Sequence, residues 1–305
     1  MHVNGFLVDF MNGYKYPDEA KNTFLRVSER LDREKEFGDA FDAVVNGYMS
    51  AEDDDLGASL DKITALAEKY GENEYTAHFM FLLNCMPILK KQYLKNGYSE
   101  QLFRDGADDL RCKLLECIEC KGVPGTFVAG WNRGFLKLDR FAFGRFQFEE
   151  REYGSDFDFV MSCGKVVKKG DKVINFHIPS SGIPLTDDVR FASYKKAYDF
   201  FKGGFSDGNV LFCCGSWLLY PRHREFLPEK SNILRFLDDF EIVSWAEKEN
   251  FGDAWRVFGR YSELPVEQLP RDTSLRRAYA DWLAAGNKTG DGYGLFLFDG
   301  EKIVR

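Results

Sequence analysis

The sequence predicts an α+β protein in which an N-terminal helical bundle is followed by a mixed α/β sheet domain. The apolar residues recur with a helical period up to about residue 138, and they alternate with polar residues in many later segments. A chain-breaking segment, GVPG at residues 122–125, precedes this change. The 305 residues are enough for two domains of ordinary size. We therefore expect a bundle over residues 1–138 and a sheet domain over residues 139–305.

Four amphipathic helices are predicted in the first part. Leu60, Ile63, Leu66 and Ala67 form one apolar stripe at positions i, i+3, i+6 and i+7, which is the spacing of one helix face. The other three helices are expected near residues 40–49, 74–95 and 100–119. Short loops between helices of this kind are typical of an up-and-down bundle.

The second part is expected to contain strands before, between and after its helices. Alternation predicts three antiparallel meander strands at residues 141–149, 157–161 and 173–178. A helix at 186–202, a strand at 210–214 and a helix at 231–237 follow. The remaining elements are a strand pair at 240–246 and 254–258, a helix at 273–285 and a C-terminal hairpin at 295–298 and 302–305. The resulting order is β-β-β-α-β-α-β-β, with the 210–214 strand beside the third meander strand.

Three patterns that resemble ligand sites have simpler interpretations. The glycine-rich residues 286–294 do not have the spacing of a phosphate-binding loop, and we expect a flexible connection into the final hairpin. The acidic run at residues 52–55 is interpreted as a solvated loop that leads into a helix. Cys112, Cys117 and Cys120 lie on one predicted helix without clustered histidines, which favours buried thiols. No metal site is therefore expected.

Charge and composition argue against several classes of function. The net charge of −8 disfavours nucleic-acid binding, which needs a basic excess. No apolar run reaches the length of a membrane span, and no signal peptide is recognised. The seven cysteines are expected to be free thiols in a reducing compartment. These observations predict a cytoplasmic protein whose partner is a small molecule, and the sequence specifies no oligomeric state.

Five motifs occur in order along the chain. They are LKLDRFAFGRFQFE at residues 136–149, FHIPSSGIPL at 176–185, CGSWLL at 214–219, SNILRF at 231–236 and LPRDTSLRRA at 269–278. Together they resemble a bacterial family of GNAT-like acyltransferase domain proteins, in which a helical N-terminal domain precedes a GNAT-like C-terminal domain. The resemblance covers most of the chain. It implies transfer of an acyl group from acetyl-CoA or another acyl-CoA to a small amine or peptide, with the pantetheine arm held where the sheet opens after its third strand.

The loop before the central helix departs from the pattern of most GNAT enzymes. That pattern, Arg/Gln-x-x-Gly-x-Gly/Ala, holds the CoA pyrophosphate with backbone N–H groups and the helix dipole. It is absent between Ile178 and Val189. Ser180, Ser181 and Gly182 occupy the equivalent place, and their hydroxyl and amide groups are the candidates to bind the phosphates of the cofactor. The alternative is that the missing motif reflects a different cofactor or none.

His177 and Glu149 are candidates for the general base that accepts a proton from the attacking amine. His177 ends the third meander strand, and an unperturbed imidazole titrates near neutral pH. Alternation places Glu149 with Gln147 on one face of the first strand. An inward carboxylate beside aromatic rings would have a raised pKa, as a base requires. The simpler alternatives are a histidine that hydrogen-bonds a loop and a glutamate that discourages edge pairing.

Cys214 and Ser216 follow the central strand, where a nucleophile or an oxyanion donor is expected. A Cys214 thiolate needs a base, and His177 on the neighbouring strand is a candidate for that role. The alternative is a small buried thiol. Ser216 either donates to an oxyanion or caps the turn before Trp217.

Tyr220, Arg222 and Arg276 are candidates for substrate binding. The planar fork of arginine suits phosphate or carboxylate groups, although Arg222 has Glu225 close by in the sequence as an alternative partner. Arg276 lies in the first turn of a predicted helix, where the helix dipole disfavours a cation. An anionic partner is therefore expected for Arg276.

The leading interpretation is acyl transfer in a cleft that the bundle helps to form. Two further functions are also compatible with these residues. One is a non-catalytic ligand-binding protein on the same fold, which the missing glycine motif favours. The other is a hydrolase that uses Cys214 or Ser216 as its nucleophile.

Overall fold

The computed structural model describes residues 4–50 and 55–305. Its contacts divide the chain into one unit that ends at Asp139 and a second unit over Arg140–Arg305. Of the acidic run at residues 52–55, the first three lie outside the described residues. Asp55 caps the helix that follows, because its Oδ1 accepts a hydrogen bond from Ala58 N at 2.8 Å.

The first unit is helical, as predicted, and each long helix packs against the next. Its described helices are α1 (Asn4–Gly13), α2 (Asp18–Arg33), α3 (Lys35–Ser50), α4 (Leu56–Tyr70), α5 (Glu74–Lys95), α6 (Glu100–Lys121) and α7 (Arg133–Leu136). The prediction omitted α1 and α2. The signal for α2 was present, since Ala20, Phe24, Val27 and Leu31 are buried at helical spacing.

The cysteines of α6 are free thiols, with Cys112 and Cys117 buried and Cys120 half-buried. Within residues 4–50 and 55–305, no three histidine, cysteine, aspartate or glutamate side chains group in a way that would hold a metal ion. None of the helices described for this chain combines the length and the apolar character that crossing a bilayer requires.

The second unit is built on a mixed sheet with helices between its strands. The strands are β1 (Arg140–Phe143), β2 (Phe146–Glu152), β3 (Phe159–Val160), β4 (Val166–Val167), β5 (Lys172–His177), β6 (Val210–Ser216), β7 (Glu241–Lys248), β8 (Thr289–Phe298) and β9 (Ile303–Val304). The helices are α8 (Asp187–Phe201), α9 (His223–Phe226), α10 (Asn232–Asp238), α11 (Ala254–Phe258) and α12 (Ser274–Ala284). The main sheet has the order β1-β2-β5-β6-β8-β7, with β9 beside β8. Strands β5 and β6 are neighbours, as predicted. They run parallel to each other, whereas the other neighbours are antiparallel.

Three predicted strands differ from the structure. The segment 141–149 is two strands, because the chain turns at Gly144, whose φ of +64° suits a residue without a side chain. The segment 157–161 contributes only β3, which pairs with β4 outside the main sheet. The segment 254–258 forms helix α11, since a short apolar run fits either a strand or a helix.

Residues 289–294 of the glycine-rich segment belong to β8, and they are not the flexible connection that was predicted. A Cβ atom at Gly292 would overlap the carbonyl group of Leu219, and one at Gly294 would lie 2.9 Å from Phe240 Cβ. These glycines therefore let the strand lie against its neighbours at a distance that a side chain would prevent. The predicted hairpin of β8 and β9 is confirmed.

The two faces of the main sheet differ in character. One face packs beneath α8 and α10 in an aromatic core that includes Phe146, Phe148, Phe176, Phe212 and Phe296. On the other face, a smaller apolar cluster lies next to the β3–β4 hairpin. The strip of this second face around the end of β5 is polar, and we call it the polar face.

Candidate active site

Strands β5 and β6 separate at their carboxyl ends. They are paired at two positions, Ile174 with Phe212 and Asn175 with Cys213. Both strands extend beyond these pairs, and their last residues are not paired with each other. We call this place, where the ladder between the two strands stops, the gap. This edge of an open sheet is a common place for a ligand.

Glu149 on β2 lies at the centre of the polar face, and its side chain is only 4% exposed. Its Oε1 accepts hydrogen bonds from His177 Nε2 at 2.8 Å, Arg151 Nε at 3.1 Å and Asn175 Nδ2 at 3.2 Å. Its Oε2 accepts two from Arg140, from Nε at 3.2 Å and Nη2 at 3.0 Å. Strand register produces this cluster, because Arg140 is opposite Glu149 in β1 and Asn175 is opposite it in β5.

The pKa of Glu149 lies well below its usual range. Burial alone would raise it, but the hydrogen bonds from His177 and Arg151 and the charge of Arg140 outweigh burial. The predicted raised pKa is therefore wrong, since it assumed that aromatic rings surround the carboxylate. A carboxylate that is this acidic, with both oxygens occupied, is a poor proton acceptor, and we treat Glu149 as a positioning residue.

His177 ends β5 beside the gap, and its side chain is 22% exposed. Burial lowers the pKa of His177, and its hydrogen bond with Glu149 opposes this only in part. The imidazole is therefore neutral near pH 7. Because a carboxylate can only accept a hydrogen bond, the proton shared with Glu149 belongs to Nε2, and Nδ1 is the nitrogen without a proton. That nitrogen is able to act as a base.

The two cysteines of β6 lie on opposite faces of the sheet. Cys214 is fully buried in the aromatic core, and burial raises its pKa well above the ordinary value. The predicted pair of Cys214 and His177 does not form, because His177 is on the other face. Cys213 is on the polar face, with Sγ 3.6 Å from Asn175 Oδ1, and burial raises its pKa to about 12. Both thiols therefore stay protonated near neutral pH, which disfavours them as nucleophiles.

Two further candidates have local structural contacts. Ser216 Oγ accepts a hydrogen bond from Leu218 N at 3.1 Å, which is the capping role considered as its alternative. Arg276 donates to Asp272 at 3.0 Å and to Val257 O at 3.0 Å. The anionic partner expected for Arg276 is thus a side chain at the start of its own helix.

Tyr220 and Arg222 share a partner on β7. The hydroxyl of the buried Tyr220 donates to Glu247 Oε1 at 3.2 Å. Arg222 donates to the same oxygen at 2.7 Å and to both oxygens of Glu225 at 2.9 and 3.0 Å. These donors hold the chain after β6 against β7, and the predicted substrate-binding role of the two residues has no further support from these contacts.

The loop between β5 and α8 contains the predicted cofactor residues and is held by Arg145. Arg145 donates from Nε to Ile183 O at 2.9 Å and from Nη1 to Pro179 O at 2.6 Å. Sequence reasoning did not identify this role of Arg145. The available signal was its place in the turn that links β1 and β2, next to Gly144.

Part of the hydrogen-bonding capacity of this loop is used internally. Ser181 N donates to Pro179 O at 2.9 Å, and Ile183 N donates to Ser181 Oγ at 3.3 Å. Ser180 and Gly182 are exposed, and Gly182 has a φ of +76°. The Ser180 hydroxyl and the Gly182 N–H remain as donors for a ligand.

The first turn of α8 carries two acidic residues, Asp187 and Asp188. Hydrogen bonds from Thr186 and from Val189 N lower the pKa of Asp188. These carboxylates occupy the positive end of the helix dipole, where they are favourable. A phosphate at the same place would be repelled, so the usual pyrophosphate grip of a helix N-terminus is not provided here.

An open pocket of about 380 Å³ lies on the polar face beside the Glu149 cluster. Residues of several strands line it, among them Arg151, Asn175, Cys213, Ser244 and Tyr293. Arg151 and Asn175 also donate to Glu149. The pocket and the His177–Glu149 pair are therefore parts of one site.

Similar proteins share this architecture. Among solved structures, an acyltransferase in complex with decanoyl-CoA and teicoplanin is 21% identical to this chain, and the match covers 95% of this chain and 87% of that one with a TM-score of 0.74. An acyltransferase mutant in complex with octanoyl-CoA is 20% identical, with coverage of 97% and 87% and a TM-score of 0.73. No curated protein matches the sequence.

Two family models match consecutive parts of the chain. Residues 5–138 match an N-acyltransferase N-terminal domain, and residues 141–296 match a GNAT-like C-terminal domain. The predicted fold class and the family resemblance are confirmed. The chain belongs to the family of proteins with a GNAT-like C-terminal domain, preceded here by an N-acyltransferase N-terminal domain.

Proposed function

We propose that this protein transfers an acyl group from an acyl-CoA to the amine of a small molecule or peptide. The observation that carries the proposal is the His177–Glu149 pair beside the gap between β5 and β6. Family membership supports the reaction type, and acyltransferases of similar fold hold decanoyl-CoA or octanoyl-CoA. Free thiols suit a reducing compartment, and we propose the cytoplasm.

The residues around the gap fit a cofactor that is held mainly by its pantetheine arm. The ends of β5 and β6 beyond their last ladder pair are the place that we assign to the amide groups of that arm. The Ser180 hydroxyl and the Gly182 N–H are the donors that remain for the phosphates, and Arg145 keeps the loop in one shape. Because the first turn of α8 is acidic, it repels the phosphates, and we expect them to lie away from the helix N-terminus.

The proposed chemistry assigns distinct roles to the two central residues. An acyl-CoA supplies the thioester, whose C–S bond is replaced by the C–N bond of the amide product. His177 Nδ1 takes the proton that the attacking nitrogen loses. This proton then neutralises the thiolate of the departing CoA. Glu149 fixes the Nε2 proton and stabilises the imidazolium that forms. Arg140 and Arg151 keep Glu149 ionised throughout.

A non-catalytic ligand-binding protein is the second candidate, and one observation favours it. Asp187 and Asp188 stand where most GNAT enzymes bind the pyrophosphate, so the cofactor grip is reduced. A hydrolase that uses Cys214 has less support, because that thiol is buried on the face opposite His177.

Calorimetric titration with acetyl-CoA and octanoyl-CoA, followed by turnover with a mixture of amines, tests the proposal. Ligand at a hundred times its Kd should stabilise the fold by about 2.7 kcal/mol. His177→Gln should keep binding and lose about 10²- to 10⁴-fold in turnover. His78→Gln, which changes a histidine of the first unit bonded to Thr64, is the matched control. Absence of binding by either thioester at millimolar concentration would overturn the proposal, and binding without wild-type turnover would favour the second candidate.

A further inference from the structure

Arg151 presents part of its guanidinium group to the pocket on the polar face. Its side chain is 56% exposed, and its Nε donates to Glu149 Oε1. Among the residues that the structure describes, its two terminal nitrogens donate to no partner. Arg222 differs, because its guanidinium spreads over two carboxylates. The terminal nitrogens of Arg151 therefore form an open planar fork that matches a carboxylate.

The fork lies next to the proposed base. Arg151 and His177 both donate to the same oxygen of Glu149, so the guanidinium and the imidazole are neighbours. Asn175 donates to that oxygen as well and also lines the pocket. A molecule whose carboxylate rests on Arg151 would consequently hold its other groups close to His177.

The lining of the pocket is polar and carries charges of both signs. Asn175, Ser244 and Tyr293 contribute polar groups and Arg151 contributes a cation, and Glu152 is also among the residues that line the pocket. Burial raises the pKa of Tyr293, which keeps its hydroxyl protonated as a donor. An alkyl chain would leave these groups without partners, which is costly. A dianionic phosphate would be repelled by the Glu149 carboxylate that lies beside Arg151, whereas a zwitterion complements the charges of Arg151 and Glu149.

We propose that this pocket is the acceptor site and that it selects amines that also carry a carboxylate, such as amino acids or short peptides. The inference rests on the proposed function, since it assigns the second substrate of that reaction. The volume of about 380 Å³ lies in the range of small-molecule sites. Arg151 binds the carboxylate, and His177 receives the proton of the amine.

Matched pairs of amines test the carboxylate preference directly. Glycine, β-alanine and glycylglycine are each compared with the corresponding carboxamide by calorimetric titration of the full chain, with no thioester present. We expect at least one carboxylate to bind about tenfold or more tightly than its carboxamide, because one charge-assisted pair is lost in the carboxamide. Arg151→Gln should abolish the preference, and Arg151→Lys should keep part of it.

Arg224→Gln is the control, since that side chain is 54% exposed and pairs with Asp238 elsewhere in the unit. It should leave the preference unchanged. The inference is overturned if no carboxylate is preferred by the wild type, or if Arg151→Gln retains the preference while its unfolding profile matches the wild type.

Kinetics with octanoyl-CoA separates this inference from the proposed function. In Arg151→Gln the KM for the preferred acceptor should rise about tenfold or more, while kcat changes less. A preference for carboxylates without any binding of octanoyl-CoA would remove the proposed function and keep the carboxylate site. Turnover that treats carboxylates and carboxamides alike would keep the function and remove the assignment of the pocket.

Discussion

Replacing Glu149 by glutamine should destabilise the second unit by about 3 kcal/mol. The substitution keeps the shape of the side chain but removes the charge that five hydrogen bonds from four residues now stabilise. Breaking a buried ion pair costs about 3–5 kcal/mol. We take the lower end of this range, because only one of the two arginines is buried. Arg140 is 8% exposed, whereas Arg151 is 56% exposed and remains solvated.

Hydrogen exchange of the β2 and β5 backbone, followed by mass spectrometry, is the assay. A loss of about 3 kcal/mol corresponds to exchange on the order of a hundredfold faster for amides that open with the sheet. Glu150→Gln is the control, since that side chain is 55% exposed on the other face and pairs with Lys172. It should change stability by less than about 0.5 kcal/mol. Equal exchange in the two variants would refute the view that Glu149 anchors a buried charge network.

The low pKa of Glu149 has a consequence for pH dependence. A carboxylate whose pKa is depressed by folding adds stability above its ordinary pKa, and this contribution is lost as the pH falls towards the depressed value. The difference in stability between wild type and Glu149→Gln should therefore shrink in acid. A difference that stays constant down to strongly acidic pH would contradict the assigned ionisation.

Three further predictions concern other parts of the second unit. Burial lowers the pKa of His223 to about 4 from 6.5, so stability should fall as the pH drops between these values, and urea titrations of His223→Asn should show a shallower fall; equal slopes would contradict this. Gly292→Ala should cost about 2 kcal/mol, because a methyl group would overlap Leu219, whereas Gly215→Ala, with its nearest neighbour at 3.8 Å, should be nearly neutral in thermal unfolding. Arg145→Met removes two hydrogen bonds from the loop before α8, and hydrogen exchange in that loop should become about tenfold faster; unchanged exchange would mean that Arg145 does not hold the loop.

Several features of the site followed from local patterns. His177 was placed at a strand end because an alternating run stops there, and alternation put Glu149 on the face opposite Phe148. Both placements agree with the structure. The partners of Glu149 were not foreseen, because Arg140 reaches it only across the turn at Gly144. The signal in the sequence was Gly144, because a hairpin that turns there places Arg140 opposite Glu149.

The errors in the fold have a related cause. The run at residues 254–258 is apolar but short, and its length does not separate a strand from a helix. Residues 286–294 are rich in glycine, and this composition is typical of a loop. In the structure, the glycines are explained by the close approach of neighbouring segments of the same chain. In the glycine-rich segment the outcome depended on what occupied the adjacent space.

The helical period of the first unit, the alternation of the main strands and the order of the two domains could be predicted, because they depend on residues close together in the chain. The position of β8 between β6 and β7 and the strong acidity of Glu149 could not be predicted and are known only from the folded protein. Strand neighbours and protonation states depend on groups that are distant in sequence. Burial and the field of nearby charges act through space, so they become defined only when the sheet has formed.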